Sequence, residues 1–152
     1  SYTRTARNKT PRMYDENTIK ELKIGKASIL REGDDIAIIA CGVMVHKAVT
    51  AANNLSKEGI HAYVVDMHTI KPLDAELINQ LASTCKGIVT VEDHSIIGGL
   101  GSSISEYLST TNPTKITMIG VEDRFGESGE SEELLELVGL TVERIEEACR
   151  VL

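Results

Sequence analysis

Four short apolar runs, DDIAIIAC (34–41), GIHAYVVDM (59–67), GIVTVED (87–93) and KITMIGV (115–121), punctuate the chain at similar intervals. Each is unbroken instead of alternating, the pattern of a strand buried on both faces. Between them the apolar positions recur with helical spacing. Val45, Ala48, Val49, Ala52 and Leu55 fall on one face of a first helix, and Gly59 stands where a left-handed cap is wanted. The stretch LDAELINQLASTC predicts a second helix, with Asp74 as N-cap and Leu77, Ile78 and Leu81 turned inward. A third begins near GGLGSS, has Ser103 and Glu106 at capping-box spacing, and stops at Asn112-Pro113.

Strand and helix therefore alternate through the middle of the chain, which predicts a parallel sheet with right-handed crossovers and helices on both faces. Upstream, ELKIGKASILREGDD alternates well enough for one more strand or a hairpin at the sheet edge. Downstream, Ser131 is placed to cap EELLELVG. Thr141 is placed to cap VERIEEACRVL, with Leu140 and Ile145 as a hydrophobic staple across its start. The expected architecture is a three-layer α/β/α domain.

Composition narrows the class. At 152 residues one domain with a real core is the default, and with 3% aromatics and no tryptophan that core must be aliphatic. A net charge of −7 opposes binding to nucleic acid or an anionic membrane, and only Arg4, Arg7, Lys9 and Arg12 form a basic cluster. No apolar run approaches the roughly 20 residues of a membrane span. Cys41, Cys85 and Cys149 are odd in number and far apart, which fits reduced thiols in a cytosol.

Ligands of such folds sit beyond the carboxyl ends of the strands, where helix N-termini point free N–H groups. VTVEDHSIIGGLGSSISEYL (89–108) lies at such a place. Gly98, Gly99 and Gly101 would let the backbone approach an anion, and Ser102 and Ser103 could add hydroxyl donors, so these residues with His94 form a candidate anion or interface site. The plainer alternative is a glycine turn that lets the helix pack tightly on the sheet, with Glu106 already supplying negative charge. A carboxylate beside His94 could fit it for acid–base work or substrate contact, or the ring could serve a backbone group or another subunit.

Rival chemistries lack their residues. Asp66 is placed as the acid of a dinucleotide site, but the first turn, CGVMV, has one glycine only. No GKS or GKT forms a P-loop, no GxSxG makes a nucleophile elbow, and the acids of 122–136 lack calcium-loop spacing. His46 and His61 sit at solvated helix and strand positions and His68 in a turn, none at metal-ligand spacing. No catalytic, cofactor-binding or metal-binding residue is assigned from the sequence.

The ordered set IIACGVMVHKAV, VVDMHTIKPLD, VTVEDHSIIGGLGSSISE and GVEDRFGESGESEELLELVGLT resembles the C-terminal domain of transketolase, over about residues 10 to 152. RFGESG (124–129) is more similar to transketolase than to deoxyxylulose-phosphate synthase, and HTIKPLD (68–74) is shared with 2-oxo acid dehydrogenases; the nearest resemblance is to the separate C-terminal subunits of split transketolases. The resemblance implies a mostly parallel sheet of about five strands with one antiparallel edge strand, and a domain at 16–152. Residues 1–15 would be an interdomain linker and the remnant of a preceding pyrimidine-binding domain, disordered or held by a partner.

It also implies a cytoplasmic enzyme that moves a two-carbon ketol unit between sugar phosphates with thiamine diphosphate and Mg. The GDG motif of diphosphate binding is absent here, so the resemblance makes this chain an assembly module, inactive alone, that joins the rest of the transketolase and forms a homodimer. His94 and the glycine turn would face the rest of that enzyme. The alternatives are a regulatory anion-binding module, or the equivalent domain of a 2-oxo acid dehydrogenase E1 beta subunit or of deoxyxylulose-phosphate synthase.

Overall fold

A computed structural model describes residues 2–7 and 9–152. Its five strands are β1 (Ser28–Arg31), β2 (Ile36–Ala40), β3 (Ala62–Asp66), β4 (Ile88–Ser95) and β5 (Ile116–Val121), in the sheet order β1-β3-β2-β4-β5. The last four are parallel, and β1 runs antiparallel along the outer side of β3, with Ser28 opposite Asp66. The predicted edge strand is therefore present. Every residue of β2 is buried, as its continuous apolar run requires at the centre of a two-sided sheet.

Two aliphatic clusters follow from the alternation of side chains across the strands. On one face Ile38, Val64, Val89 and Val91 meet the apolar stripe of α1 (Val45–Lys57) and the closing helix α5 (Val142–Arg150). On the other, Ile39, Val65 and Ile88 meet α2 (Ala75–Thr84) and α3 (Leu100–Thr111). Ile38, Ile39, Leu55, Leu81 and Leu108 are essentially removed from water, each worth about 1.5–3 kcal/mol of transfer free energy. A short helix α4 (Ser131–Leu137) precedes α5, and Leu140 and Ile145, both buried in the first cluster, bracket the start of α5 as a staple.

The caps divide. Thr141 accepts from the Arg144 N–H at 3.2 Å, as expected. Asp74 does more than cap α2: besides Leu77 N–H at 3.4 Å, its carboxylate accepts Ala27 N–H at 3.0 Å and lies 3.4 Å from the Lys26 ammonium, tying the entry of β1 to α2. Ser131 is not the cap of α4. It is the first helical residue, Glu130 holds the cap position without a side-chain bond, and Glu132 and Glu133 offset the helix dipole instead. Ser103 is not a cap either, because α3 starts three residues earlier and its hydroxyl turns back to the Gly99 carbonyl at 2.9 Å.

Upstream of a single 3-10 turn at Thr18–Glu21 the described residues form no strand. Tyr2 is almost fully exposed, while Arg4 reaches Asp93 and Tyr14 reaches Asp66. Ser1 and Asn8, within the stretch expected to be a linker, lie outside the described residues.

Candidate functional site at the carboxyl edge

The parallel strands deliver Cys41, Asp66 and the Glu92–Ser95 segment to one edge of the sheet, and β4 continues through a short loop into α3. Glu92 is 1% exposed, and it points under the loop to the helix start. Its Oε2 accepts the Leu100 N–H at 2.7 Å and its Oε1 the Gly101 N–H at 2.9 Å. An orphan N–H pair at a helix N-terminus, the place where an open sheet binds anions, is thus filled by a carboxylate of the preceding strand.

The glycines are explained by this closeness. A Cβ on Gly99 would overlap Glu92 Oε2 and stand 2.8 Å from the Ser95 carbonyl; one on Gly101 would stand 2.6 Å from Thr90 Oγ1 and 2.7 Å from Met118 Sδ. Gly98 adopts a left-handed φ of 76° where the loop turns. Two further donors are spent inside the turn as well. Gly98 N–H donates to Ser102 Oγ at 2.9 Å, and Ser102 in turn donates to the Ile96 carbonyl at 2.7 Å.

His94, half exposed, holds its Nδ1 2.8 Å from the Ser95 carbonyl and 3.9 Å from Glu92 Oε2. A carbonyl only accepts, so Nδ1 is the donor in the first of these contacts. The structure therefore brings His94, Gly98, Gly99, Gly101, Ser102 and Ser103 together in one turn, with Glu92 as its buried centre. The other three histidines stand apart. His46 lies in the first turn of α1, His61 is exposed just before β3, and His68 is exposed beside Thr69.

Two further contacts border the edge. Arg4 donates to the Asp93 carbonyl at 2.7 Å and to its Oδ2 at 3.2 Å, and the Tyr14 hydroxyl donates to Asp66 Oδ2 at 2.6 Å. Burial pushes the Asp66 carboxyl above the usual range, partly offset by that hydrogen bond, and burial together with Asp66 raises the Tyr14 phenol. Cys41, between these acids, is pushed up to about 12, by burial first and then by Glu92 and Asp66.

Glu92, Tyr14 and Asp66 escaped the sequence reading as partners. For Glu92 a signal existed: an acid at an inward position of a buried strand, followed by a glycine-rich helix start. Tyr14 and Asp66 are 52 residues apart and carry no such mark. Among the described residues, no group of three His, Cys, Asp or Glu side chains could hold a metal ion, and no helix is long and apolar enough to cross a membrane.

Fold and edge together define a three-layer α/β domain of mostly parallel sheet whose principal helix start is closed by its own carboxylate. The chain belongs to the family of the transketolase C-terminal domain, whose profile matches residues 25–145. It is 43% identical to a 6-deoxy-6-sulfo-D-fructose transketolase subunit, SqwH, of Clostridium sp. (strain MSTE9), covering 97% of this chain and 45% of that protein. A 1-deoxy-D-xylulose-5-phosphate synthase of Carboxydothermus hydrogenoformans is 40% identical over 83% of this chain and 20% of the synthase. A solved split-gene transketolase, described as an inactive beta4 tetramer, superposes with a TM-score of 0.90 at 41% identity, over 95% of this chain and 46% of that one. The chain thus spans about half the length of the transketolase subunits it matches.

Proposed function

We propose that this chain is the C-terminal domain of a split transketolase subunit. In the complete cytoplasmic enzyme it serves the transfer of a two-carbon ketol unit between sugar phosphates. Thiamine diphosphate, with Mg, supplies the carbanion chemistry of that transfer when bound elsewhere in the assembly. The turn from His94 to Ser103 faces the remainder of the enzyme, residues 1–15 act as the linker, and the assembled enzyme is built on a homodimer.

One observation carries the assembly reading: Glu92 occupies the N–H groups of Leu100 and Gly101. A diphosphate at that helix start would meet a carboxylate already in place, so the residues present do not fit the cofactor. His94, half exposed on the same turn, offers its ring to a polar group on a neighbouring domain. The match to separately encoded transketolase subunits over nearly the whole chain favours this assignment over the synthase, whose likeness covers less of it.

The test is reconstitution. The chain alone is expected to give no heat with thiamine diphosphate in calorimetry and no ketol transfer from a ketose phosphate. Activity is expected once it is joined to its pyrimidine- and diphosphate-binding parts. Turnover by the isolated chain would end the proposal.

A further inference from the structure

Asp66, Cys41 and Asp93 form a row at the carboxyl edge, because β3, β2 and β4 are neighbours in the sheet and run parallel. Ala40 pairs with Asp66 on one side and with Val91 on the other, so Cys41 occupies the middle of the row, half-buried. Across β2 the flanking strands are about 10 Å apart, twice the usual strand spacing.

The N-terminal segment touches this row at two places. Tyr14 donates to Asp66 Oδ2 at 2.6 Å, while Arg4 grips Asp93 through its carbonyl at 2.7 Å and its Oδ2 at 3.2 Å. Met13, beside the first contact, packs against the cluster that holds Ala40 and Met44, which precede and follow Cys41. The Arg4 guanidinium is near enough to Cys41 to offset part of the upward push of the acids on its thiol. The chain from residue 4 to residue 14 is far longer than a gap of about 10 Å requires, so either contact can open without straining the other.

The two contacts differ in strength. Asp66 is 7% exposed and its Oδ1 already lacks a partner among the described residues, so losing Tyr14 would strand the whole carboxylate. The Arg4 and Asp93 side chains are 55% and 38% exposed, and water and salt compete for both. We infer that Arg4 and Tyr14 hold the N-terminal segment as a strap across the carboxyl edge, with Tyr14 as its fixed pivot and Arg4 on Asp93 as its releasable end, and that release uncovers Cys41. The crevice where open sheets of this class take ligands is then guarded from outside by the strap, as its helix start is filled from inside by Glu92. The strap lies within this chain whatever adjoins it, so its failure would leave the assembly reading untouched.

Modification of the full chain with an uncharged disulfide reagent, followed at each cysteine by peptide mass spectrometry, tests it. Arg4→Gln is expected to speed the reaction of Cys41 about 3-fold, the weight of one exposed ion pair. Removing a cation from beside a thiol slows its reaction, so acceleration identifies uncovering and not a change of charge. The buried Cys149 reports general loosening and should keep its wild-type rate. A Cys41 rate that Arg4→Gln leaves unchanged or lowers overturns the strap. Equal acceleration of Cys41 and Cys149 overturns it too, because the substitution would then act on the whole domain.

Discussion

The Tyr14 hydroxyl lies 2.6 Å from Oδ2 of Asp66 and is the side-chain donor to this carboxylate, whose Oδ1 is buried without a partner among the described residues. Asp66 ends β3 and is 7% exposed, so the bond fastens the N-terminal segment to the carboxyl edge. Tyr14→Phe is expected to cost about 1–3 kcal/mol, the desolvation of a buried acceptor left unmatched. Urea unfolding checks it; no loss would mean that the carboxylate finds water or another donor.

The same carboxyl sets a pH dependence. Its folded pKa is raised by burial, so the folded chain holds the proton more tightly than the unfolded one. That contribution is complete below the unfolded aspartate range, about pH 4, and is lost as pH rises through the folded value. Asp66→Asn removes this slope. Its stability relative to wild type should climb from acid to neutral pH, and parallel curves would refute the assignment.

Glu92→Gln keeps the shape but replaces one acceptor oxygen with an amide that faces a backbone N–H. A loss of about 1.5–3 kcal/mol is expected, the range for hydrogen bonds to a charged group. Gly99→Ala should destabilise by about 1–3 kcal/mol for a different reason, since its methyl overlaps the same carboxylate. Denaturant midpoints of the two variants, and of the pair combined, measure both; simple additivity would argue against a shared carboxylate.

Burial also pushes the Cys149 thiol up to about 12, like that of Cys41, and raises Cys85. All three thiols should therefore react slowly with a disulfide reagent at mildly alkaline pH and quickly in denaturant. Rapid native labelling of Cys41 would contradict its place among acids.

Gly59 has φ +83° after α1, and nothing stands within 4 Å of where its Cβ would be. Gly59→Ala should cost about 1–2 kcal/mol from backbone conformation alone, and Gly59→Asn less. A thermal melt separates the two.

Much of this architecture is legible in the chain because its causes are local. The four apolar runs became β2 to β5 with small shifts at their ends, and Asp74 and Thr141 cap the helices that follow them. Ser103 and Ser131 carried the same kind of mark and failed, since a better acceptor or the charges of the first turn met the need first. Within the candidate site the six residues of the turn were legible as a set, because glycines and serines cluster there. The group at its centre was not: Glu92 reaches Leu100 and Gly101 across eight and nine residues, a relation that only the packing of α3 on β4 creates.

Asp74 joins Ala27 and Leu77 through one side chain, although the first leads into an outer strand and the second belongs to a covering helix. Neither amide can exchange its hydrogen without that anchor letting go, so the outermost ribbon and the first turn of its neighbour should open as one cooperative unit. Fraying at this border of the molecule would then proceed in a single stride, never residue by residue.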